Sequence, residues 1–335
     1  MHVAILGATG AVGRTMLDVL GERRVKADRI TLLASERSAG KTVRWAGQEL
    51  TVEAPRPGVF RGVDVALFSA GADRSKEWAP RAADEGAVVI DNSSAFRMDP
   101  QVPLVVPEVN ARDIADRPLG IIANPNCSTI QMVVALHAVR RAAGLARVIA
   151  TTFQSVSGAG ETGRDTLRRE AGGEGLQALK LGAPIDGSPF TRRIAGNVVP
   201  QIGDFDEEGW TGEERKMMAE TRKILGLRDL PVTATCVRVP VEVGHSVQVT
   251  VETEKELTLD SLRRALVVFP GILMAGGPQH FPTPYEIAGR NEVFVGRVRA
   301  DPNFPRTFHL WIVADNLRKG AATNAVQIME RLGGG

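Results

Sequence analysis

Cysteine is nearly absent. Two in 335 residues cannot staple a secreted scaffold or build a four-cysteine zinc site, and at most they form one bridge. Net charge is lacking too: 41 Lys+Arg against 39 Asp+Glu leave +2, so no strong field draws nucleic acid or a membrane surface. No uninterrupted apolar run approaches the ~18–20 residues of a membrane span. The start, MHVAILGATGAVG, has neither a basic leader nor a small-residue cleavage site, so it does not read as a signal peptide. Internal repeats are missing, and the only low-complexity tract is Gly333-Gly334-Gly335, which reads as a frayed end. These absences point to a cytoplasmic chain, where a cysteine is more often catalytic, metal-bound or simply buried than disulfide-bonded. What remains is a globular composition, 43% hydrophobic and 24% charged. At ~150 residues per domain the length makes roughly two domains.

Apolar runs and helical spacings alternate through the first third. Residues 3–6 are apolar throughout and lead into glycines, after which Val12, Met16, Val19 and Leu20 recur at helical spacing. Residues 30–34 and 63–68 read as further strands, and a helix is predicted over 73–85. Residues 87–90, 104–106 and 121–123 complete the strands. Apolar strands separated by helices predict a Rossmann-type, doubly wound parallel sheet covered on both faces. The pattern then changes. Residues 130–143 read as a long helix, and beyond it 232–241, 247–251, 293–298 and 308–313 read as strands. Over 247–251 every second residue is apolar, as in an antiparallel sheet with one buried face. The expectation is an α/β chain whose residues 1–126 bind a nucleotide. Residues 127–315 would form an α+β domain with a mixed, largely antiparallel sheet. A last helix, about 316–332, is expected to return to the first domain.

Gly7-Ala8-Thr9-Gly10-Ala11-Val12-Gly13 lies between the first strand and the first helix. Glycines there let the backbone approach a pyrophosphate, whose charge rests on the N–H groups of the helix N-terminus. The spacing is G-x-x-G-x-x-G rather than the commoner G-x-G-x-x-G, and a plain strand-to-helix turn is the alternative. The second strand ends Ala34-Ser35-Glu36-Arg37-Ser38. Arg37 with the two hydroxyls suits the 2′-phosphate of NADP, whereas Glu36 could face a ribose 2′-OH as in an NAD site. A solvated loop with one salt bridge is the bland reading.

Asn124-Pro125-Asn126-Cys127-Ser128-Thr129 precedes the apolar helix. Asn, Ser and Thr start helices, so Cys127 falls within a turn of a helix N-terminus, where the dipole and N–H groups favour a thiolate. An inert buried cysteine is the alternative, against which the polar surroundings argue. Cys236 lies in the pattern of a strand and reads as structural. A thiolate beside a nicotinamide attacks an activated acyl group or aldehyde, and hydride transfer interconverts thioester and hemithioacetal. Such chemistry needs an acid/base. Of the five histidines, His245 follows Val243-Gly244 at a break between strands, where it faces a site or is an ordinary loop histidine. Thr211 and Glu214 make a capping box for a helix over 212–225. On that helix Glu213, Lys216 and Glu220 share one face, in the bland reading a solvated ion-pair face.

Together these segments resemble the aspartate-β-semialdehyde dehydrogenase family. The similarity runs from Gly-Ala-Thr-Gly-Ala-Val-Gly at the start to residues 315–320. It includes D-N-S-S-A-F-R at 91–97, residues 124–129, F-Q-S-V-S-G at 153–158, and R-V-P-V at 238–241 leading to Gly244-His245-Ser246. The resemblance implies NADPH-dependent reductive dephosphorylation of L-β-aspartyl phosphate to aspartate semialdehyde and phosphate, in lysine, threonine, methionine and diaminopimelate biosynthesis. It makes Cys127 the thioester-forming nucleophile, His245 the general acid/base, and Gln154 the group that positions the substrate or thioester carbonyl. Arg238 would clamp the α-carboxylate and Glu213 contact the amino group. Arg97 and Lys216 would hold the leaving phosphate, with Asn126 nearby. Gly7, Thr9, Gly10, Ala11, Val12, Ser35, Arg37, Ser38, Ser157, Gly158 and Asn316 would contact NADP. No metal is implied. The second domain would pair two copies in a homodimer, or build a tetramer. Rival readings are a related reductase of N-acetyl-γ-glutamyl phosphate or malonyl-CoA, and a non-catalytic NADP-binding regulator. One geometric demand stands out. A continuous strand would part Arg238 and His245 by ~23 Å, so the chain must bend between them if both act, and Val243-Gly244 is where it could.

Overall fold

Two separate sheets organise the chain. The computed structural model describes residues 1–173 and 183–333. It falls into one unit of Met1–Asn126 with Gly320–Gly335 and a second of Cys127–Lys319. Gly334 and Gly335, part of the terminal glycine run, lie outside the described residues.

The first unit runs β1 (His2–Leu6), α1 (Ala11–Glu22), β2 (Arg29–Leu33), β3 (Thr42–Trp45), β4 (Gln48–Glu53), β5 (Val65–Phe68), α2 (Ala72–Asp84), β6 (Val88–Asp91), α3 (Pro107–Asn110) and β7 (Ile121–Ala123). The sheet order is β3-β4-β2-β1-β5-β6-β7. Every pair from β4 to β7 is parallel, and β3 alone runs antiparallel to its neighbour. β1 is apolar because both its faces are covered: Val3 and Ile5 share a core with Met16, Val19 and Leu20 of α1. The C-terminal helix Thr323–Leu332 joins the same core through Ala325, Val326, Ile328 and Met329. It is tied there by Asn324 Nδ2, which donates to Asn124 Oδ1 at 2.7 Å, and by a two-pronged Arg23–Glu330 pair at 2.7 and 2.6 Å. A π-helical turn, Arg318–Ala322, stands where the α-helix was expected to begin.

The chain leaves β1 toward β2 and comes back to β5 on the other side, so strand order reverses at the carboxyl ends of β1 and β5. Open α/β sheets bind ligands at such a switch point. Two differences from expectation have local causes. Residues 104–106 make only a bridge from Leu104 to Ala123. Pro103 and Pro107 bracket them without N–H donors, and Pro107 opens α3. The β3–β4 hairpin escapes pattern reading because its strands, TVRW and QELTVE, are mostly exposed and polar.

The second unit runs α4 (Cys127–Ala143), β8 (Arg147–Gln154), α5 (Gly160–Ala171), α6 (Gly212–Leu225), β9 (Val232–Arg238), β10 (His245–Glu252), α7 (Leu259–Val267), β11 (Ile272–Met274), α8 (Pro284–Ile287), β12 (Val293–Ala300) and β13 (Thr307–Ala314). Its sheet has the order β11-β12-β13-β10-β8-β9. The central pairs are antiparallel and the outermost pair on each side parallel. The mixed, largely antiparallel sheet read from the sequence is therefore what forms. α4 lies against β10, β12 and β13 and is flanked by α6 and α7, which buries it nearly all round. α6 opens with the expected capping box, Thr211 N–H donating to Glu214 Oε2 at 2.7 Å and Glu214 N–H to Thr211 Oγ1 at 3.4 Å. Its acidic face is not solvated: Glu213 and Glu220 are 7% and 1% exposed.

Candidate active site

Three neighbouring strands of the second sheet converge on one end. β8 finishes at Gln154 and its parallel neighbour β9 at Arg238, and the register sets these two residues side by side. β10 starts at His245 and runs antiparallel to β8 with Ser246 opposite Phe153, so His245 falls level with Gln154. The required bend is thus a crossing: the chain leaves β9 at Arg238, passes the end of β8 and re-enters the sheet as β10. Val156 N–H donates to Val241 O at 2.9 Å and Ser157 N–H to Glu242 O at 3.2 Å, which pins the crossing. The turn therefore spreads over residues 239–244 instead of being confined to Val243-Gly244.

Side chains then fill the end of the sheet. Cys127 is the first residue of α4 and partly buried. One turn later Gln131 Nε2 donates to His245 O at 3.2 Å, joining the start of the helix to the start of β10. Arg238, 6% exposed, donates from Nη1 to Ser155 O at 2.7 Å and lies over the Phe190 ring at 5.9 Å. Burial pulls its guanidinium pKa below the usual arginine value, while the charges of Glu213 and Cys127 oppose that shift. Glu213 Oε1 accepts from Gln154 Nε2 at 3.1 Å, and its Oε2 lies 3.6 Å from Lys216 Nζ. Thr152 Oγ1 accepts the second Gln154 amide hydrogen at 3.3 Å.

His245 is fully buried. Its Nδ1 accepts the Ser155 backbone N–H at 3.1 Å, so the neutral ring carries its hydrogen on Nε2. Burial first, and the Arg238 charge second, push its pKa down to about 3, against a backbone hydrogen bond at Gly244 that raises it. Among the described residues Nε2 has no hydrogen-bond partner. It lies 3.3 Å from where a Cβ on exposed Gly158 would be, and Arg238 Nη1 lies 2.8 Å from the same point. A Cβ at residue 158 would therefore crowd the approach to Nε2. Behind the ring, Asn316 Oδ1 gathers three groups: Ser155 Oγ at 3.1 Å, Ser157 Oγ at 3.2 Å and Gly244 N–H at 2.9 Å.

In the first unit, Gly7 has φ +92°, and a Cβ there would come 2.7 Å from Ser69 O at the end of β5. Gly7 and Ala8 donate their N–H groups to Leu33 O at 2.8 and 3.1 Å, which ties the loop to β2. The N–H of Arg14, bonded to Gly10 O at 3.0 Å, follows the first turn of α1. The earlier donors, those of Ala11, Val12 and Gly13, have no intrahelical acceptor and suit an anion. Beyond β2, Thr9 Oγ1 meets Ser38 Oγ at 3.5 Å, and Ser35 and Arg37 are exposed. Arg97 is not a surface arginine: it is 8% exposed and donates to Asn124 O at 3.0 Å and Asn92 O at 2.7 Å, just past β7 and β6. Asn126, 6% exposed, immediately precedes Cys127.

Family models for the semialdehyde dehydrogenase NAD binding domain and dimerisation domain match residues 2–117 and 136–319. The aspartate-semialdehyde dehydrogenase of Aquifex aeolicus is 52% identical over 99% of this chain and 97% of its own length. The chain belongs to the aspartate-semialdehyde dehydrogenase family. Among solved structures, aspartate semialdehyde dehydrogenase II of Vibrio cholerae complexed with ASA is 49% identical with a TM-score of 0.93, covering 99% of this chain and 97% of that one. The Candida albicans aspartate semialdehyde dehydrogenase with NADP is 25% identical with a TM-score of 0.75, covering 99% and 98%.

Of the residues that membership of the aspartate-semialdehyde dehydrogenase family suggests, Cys127, Gln154, Glu213, Lys216, Arg238 and His245 gather at one end of the second sheet. Ser157, Gly158 and Asn316 adjoin His245. The glycine loop, Ser35, Arg37, Ser38, Arg97 and Asn126 belong to the first unit. Sequence reasoning passed over Ser155, Gln131 and Phe190. Ser155 was within reach, since it follows Gln154 in the F-Q-S-V-S-G segment. The other two act through contacts far apart in sequence.

Proposed function

We propose that this chain catalyses the NADPH-dependent reductive dephosphorylation of L-β-aspartyl phosphate to L-aspartate 4-semialdehyde and phosphate. The observation that carries the reading is the convergence of Gln154, Arg238 and His245 on one sheet end, with the Cys127 charge acting on Arg238. In this reading the Cys127 thiolate attacks the acyl carbon, phosphate departs, and a thioester to Sγ remains. We assign the phosphate to Arg97 and Lys216, with Asn126 close to it in the chain. A planar guanidinium offers paired donors to its oxygens and an ammonium a compact charge. Arg238 takes the α-carboxylate, Glu213 the amino group, and Gln154 orients the carbonyl. His245 exchanges a proton with the reacting groups at Nε2. The hemithioacetal then releases the aldehyde and regenerates Cys127.

NADP supplies or accepts the hydride when bound. The loop of Gly7, Thr9, Gly10, Ala11 and Val12 fits its pyrophosphate, because the first N–H groups of α1 have no intrahelical acceptor and Gly7 lets the loop turn tightly against Ser69. We assign the 2′-phosphate to Ser35, Arg37 and Ser38, supported by the exposure of Ser35 and Arg37 beyond β2, and further contacts to Ser157, Gly158 and Asn316. Arg37→Ala is expected to raise KM for NADP about tenfold or more while leaving KM for NAD unchanged. An unchanged KM for NADP would place the 2′-phosphate elsewhere.

The deciding assay is NADP reduction that requires both aspartate semialdehyde and phosphate. Turnover with N-acetylglutamate semialdehyde or malonate semialdehyde instead, or NADP binding without turnover, would replace the reading with one of its rivals. Gly158→Ala checks the arrangement from another side. Its Cβ would meet Arg238 Nη1 at 2.8 Å, and because residue 158 is exposed the fold should survive. Steady-state rates should fall at least about tenfold with the melting temperature unmoved. Rates equal to wild type would mean that this approach is not used.

No helix among the described residues is long and apolar enough to cross a membrane. We set the reaction in the cytoplasm, whose reducing state keeps Cys127 a thiol. We assign a homodimer through the second unit, supported by the dimerisation-domain match, and Phe281 and Tyr285, 48% and 94% exposed, offer apolar surface for it. Sedimentation should give twice the 35.9 kDa chain mass. A single-chain mass contradicts the dimer, and four chains would make it half of a tetramer.

A further inference from the structure

Arg97 is held by two backbone carbonyls, and the residues that own them are bonded to each other through their side chains. Arg97 Nε donates to Asn124 O at 3.0 Å and Nη2 to Asn92 O at 2.7 Å. Bonds to two separate segments fix the plane of the guanidinium only while the carbonyls keep their spacing. Asn92 and Asn124 follow Asp91 and Ala123, the last paired residues of β6 and β7. The backbone adds one more link there, Asn124 N–H to Asp91 O at 2.8 Å. Beyond it the side chains continue the pairing, with Asn124 Nδ2 donating to Asn92 Oδ1 at 2.7 Å.

A third amide completes the series. Asn324 Nδ2, from the C-terminal helix, donates to Asn124 Oδ1 at 2.7 Å and to Val105 O at 2.9 Å. At the other end Asn92 Nδ2 donates to Phe68 O at 2.9 Å. A backbone carbonyl only accepts, so Phe68 and Val105 set the direction of every bond between them. Asn92 turns its nitrogen to Phe68 and its oxygen to Asn124. Asn124 must then present nitrogen to Asn92 and oxygen to Asn324, and its second amide hydrogen reaches Ala321 O at 3.3 Å. Turning over any one of the three amides would set acceptor against acceptor.

We propose that Asn324, acting through Asn124 and Asn92, is a positioning residue for Arg97, so that the C-terminal helix sets the guanidinium that receives the phosphate. This rests on the assignment of the phosphate to Arg97 made above. The helix is a firm reference, because Ala325, Val326, Ile328 and Met329 lie in the core of the first unit. The loop from β6 to Arg97 has its own anchor. The Asp91 carboxylate accepts Ser75 Oγ and Ser93 Oγ at 2.7 Å each and Ser93 N–H at 3.0 Å. Loss of the Asn324 amide therefore leaves the loop in place and deprives Asn124 Oδ1 of the donor that fixes its direction. The Asn124 amide is then able to turn from Asn92, and the two carbonyls lose their set spacing.

The test joins steady-state constants to a spectrum, on the full chain. With NADP, aspartate semialdehyde and inorganic phosphate, Asn324→Ala should raise KM for phosphate about tenfold. KM for NADP and for aspartate semialdehyde should stay within about twofold. In spectra of 15N-arginine protein, the Arg97 Nε–H signal, assigned by its loss in Arg97→Lys, should be protected from solvent exchange in wild type and lose that protection in Asn324→Ala. Asn324→Ser, too short to reach Asn124 and Val105 together, replaces the alanine variant if that folds poorly. Arg23→Gln loosens the same helix at its Arg23–Glu330 tie, away from the amides, and should leave KM for phosphate unchanged. A KM for phosphate that stays at the wild-type value in Asn324→Ala but rises in Arg97→Lys overturns the proposal. An equal rise in Arg23→Gln overturns it too, since any loosening of the helix would then suffice. If Arg97→Lys itself leaves KM for phosphate unchanged, the phosphate assignment falls. The Nε–H signal then still decides whether the asparagines hold the guanidinium, and unchanged protection in Asn324→Ala shows that they do not.

Discussion

Cys127→Ala is expected to lower turnover by on the order of 10⁴-fold or more while NADP still binds and the fold persists. The size of the effect follows from what the thiolate does. It converts a direct displacement on an acyl phosphate into two steps through a thioester. Cys236 cannot substitute. It is fully buried in β9, with its Sγ 3.5 Å from Met217 Sδ, and burial pushes its thiol well above the usual range. Cys127, in contrast, is only partly buried, opens a helix, and its charge acts on Arg238 at the end of the sheet. The control is Cys236→Ala, which should keep kcat within about twofold while losing stability through the cavity it leaves. Steady-state rates with aspartate semialdehyde, phosphate and NADP decide the matter. Comparable rates for Cys127→Ala and wild type would sink the covalent mechanism.

The placement of the two cysteines was legible in the sequence because each lies in a strong local pattern. One follows Asn-Pro-Asn and begins an apolar helix, and the other occupies an inward position of an alternating strand. β1 and α1 were legible for the same reason, an apolar run, glycines, and then residues at helical spacing. The β3–β4 hairpin was not, since an exposed edge leaves no apolar signature. Residues 104–106 misled in the opposite direction: they are apolar and buried, but prolines on either side deny them a ladder. Glu213 shows what local reading misses at the site. Its spacing with Lys216 was visible, yet a surface ion pair and a buried carboxylate have the same helical spacing. The distinction comes from Gln154, 59 residues away in the chain, whose amide donates to Glu213. The meeting of Gln154, Arg238 and His245 likewise needs strand register, which side-chain chemistry does not announce.

Removing His245 should be nearly as damaging as removing Cys127, and it carries a second signature in acid. His245→Gln is expected to cost about 10²–10⁴-fold in kcat, while the glutamine carbonyl can still accept the Ser155 N–H and spare the fold. The signature comes from the ring's buried neutral state. Its pKa is pushed down to about 3 in the folded protein, against ~6.5 for an unperturbed histidine in an unfolded chain. Between these values the unfolded chain binds the proton and the folded one does not, so stability rises with pH across that window. The contribution is complete above pH ~6.5 and is lost progressively as pH falls toward 3. Other groups titrate there too, among them His2 and His137, whose burial also lowers their pKa values. The comparison must therefore be a difference. Chemical denaturation at pH 7 and pH 5 should show wild type losing more stability than His245→Gln, with the gap opening only below pH ~6.5. Identical losses in the two proteins would mean that His245 is already free to take a proton in the folded state. The buried neutral ring and its resting tautomer would then have no basis.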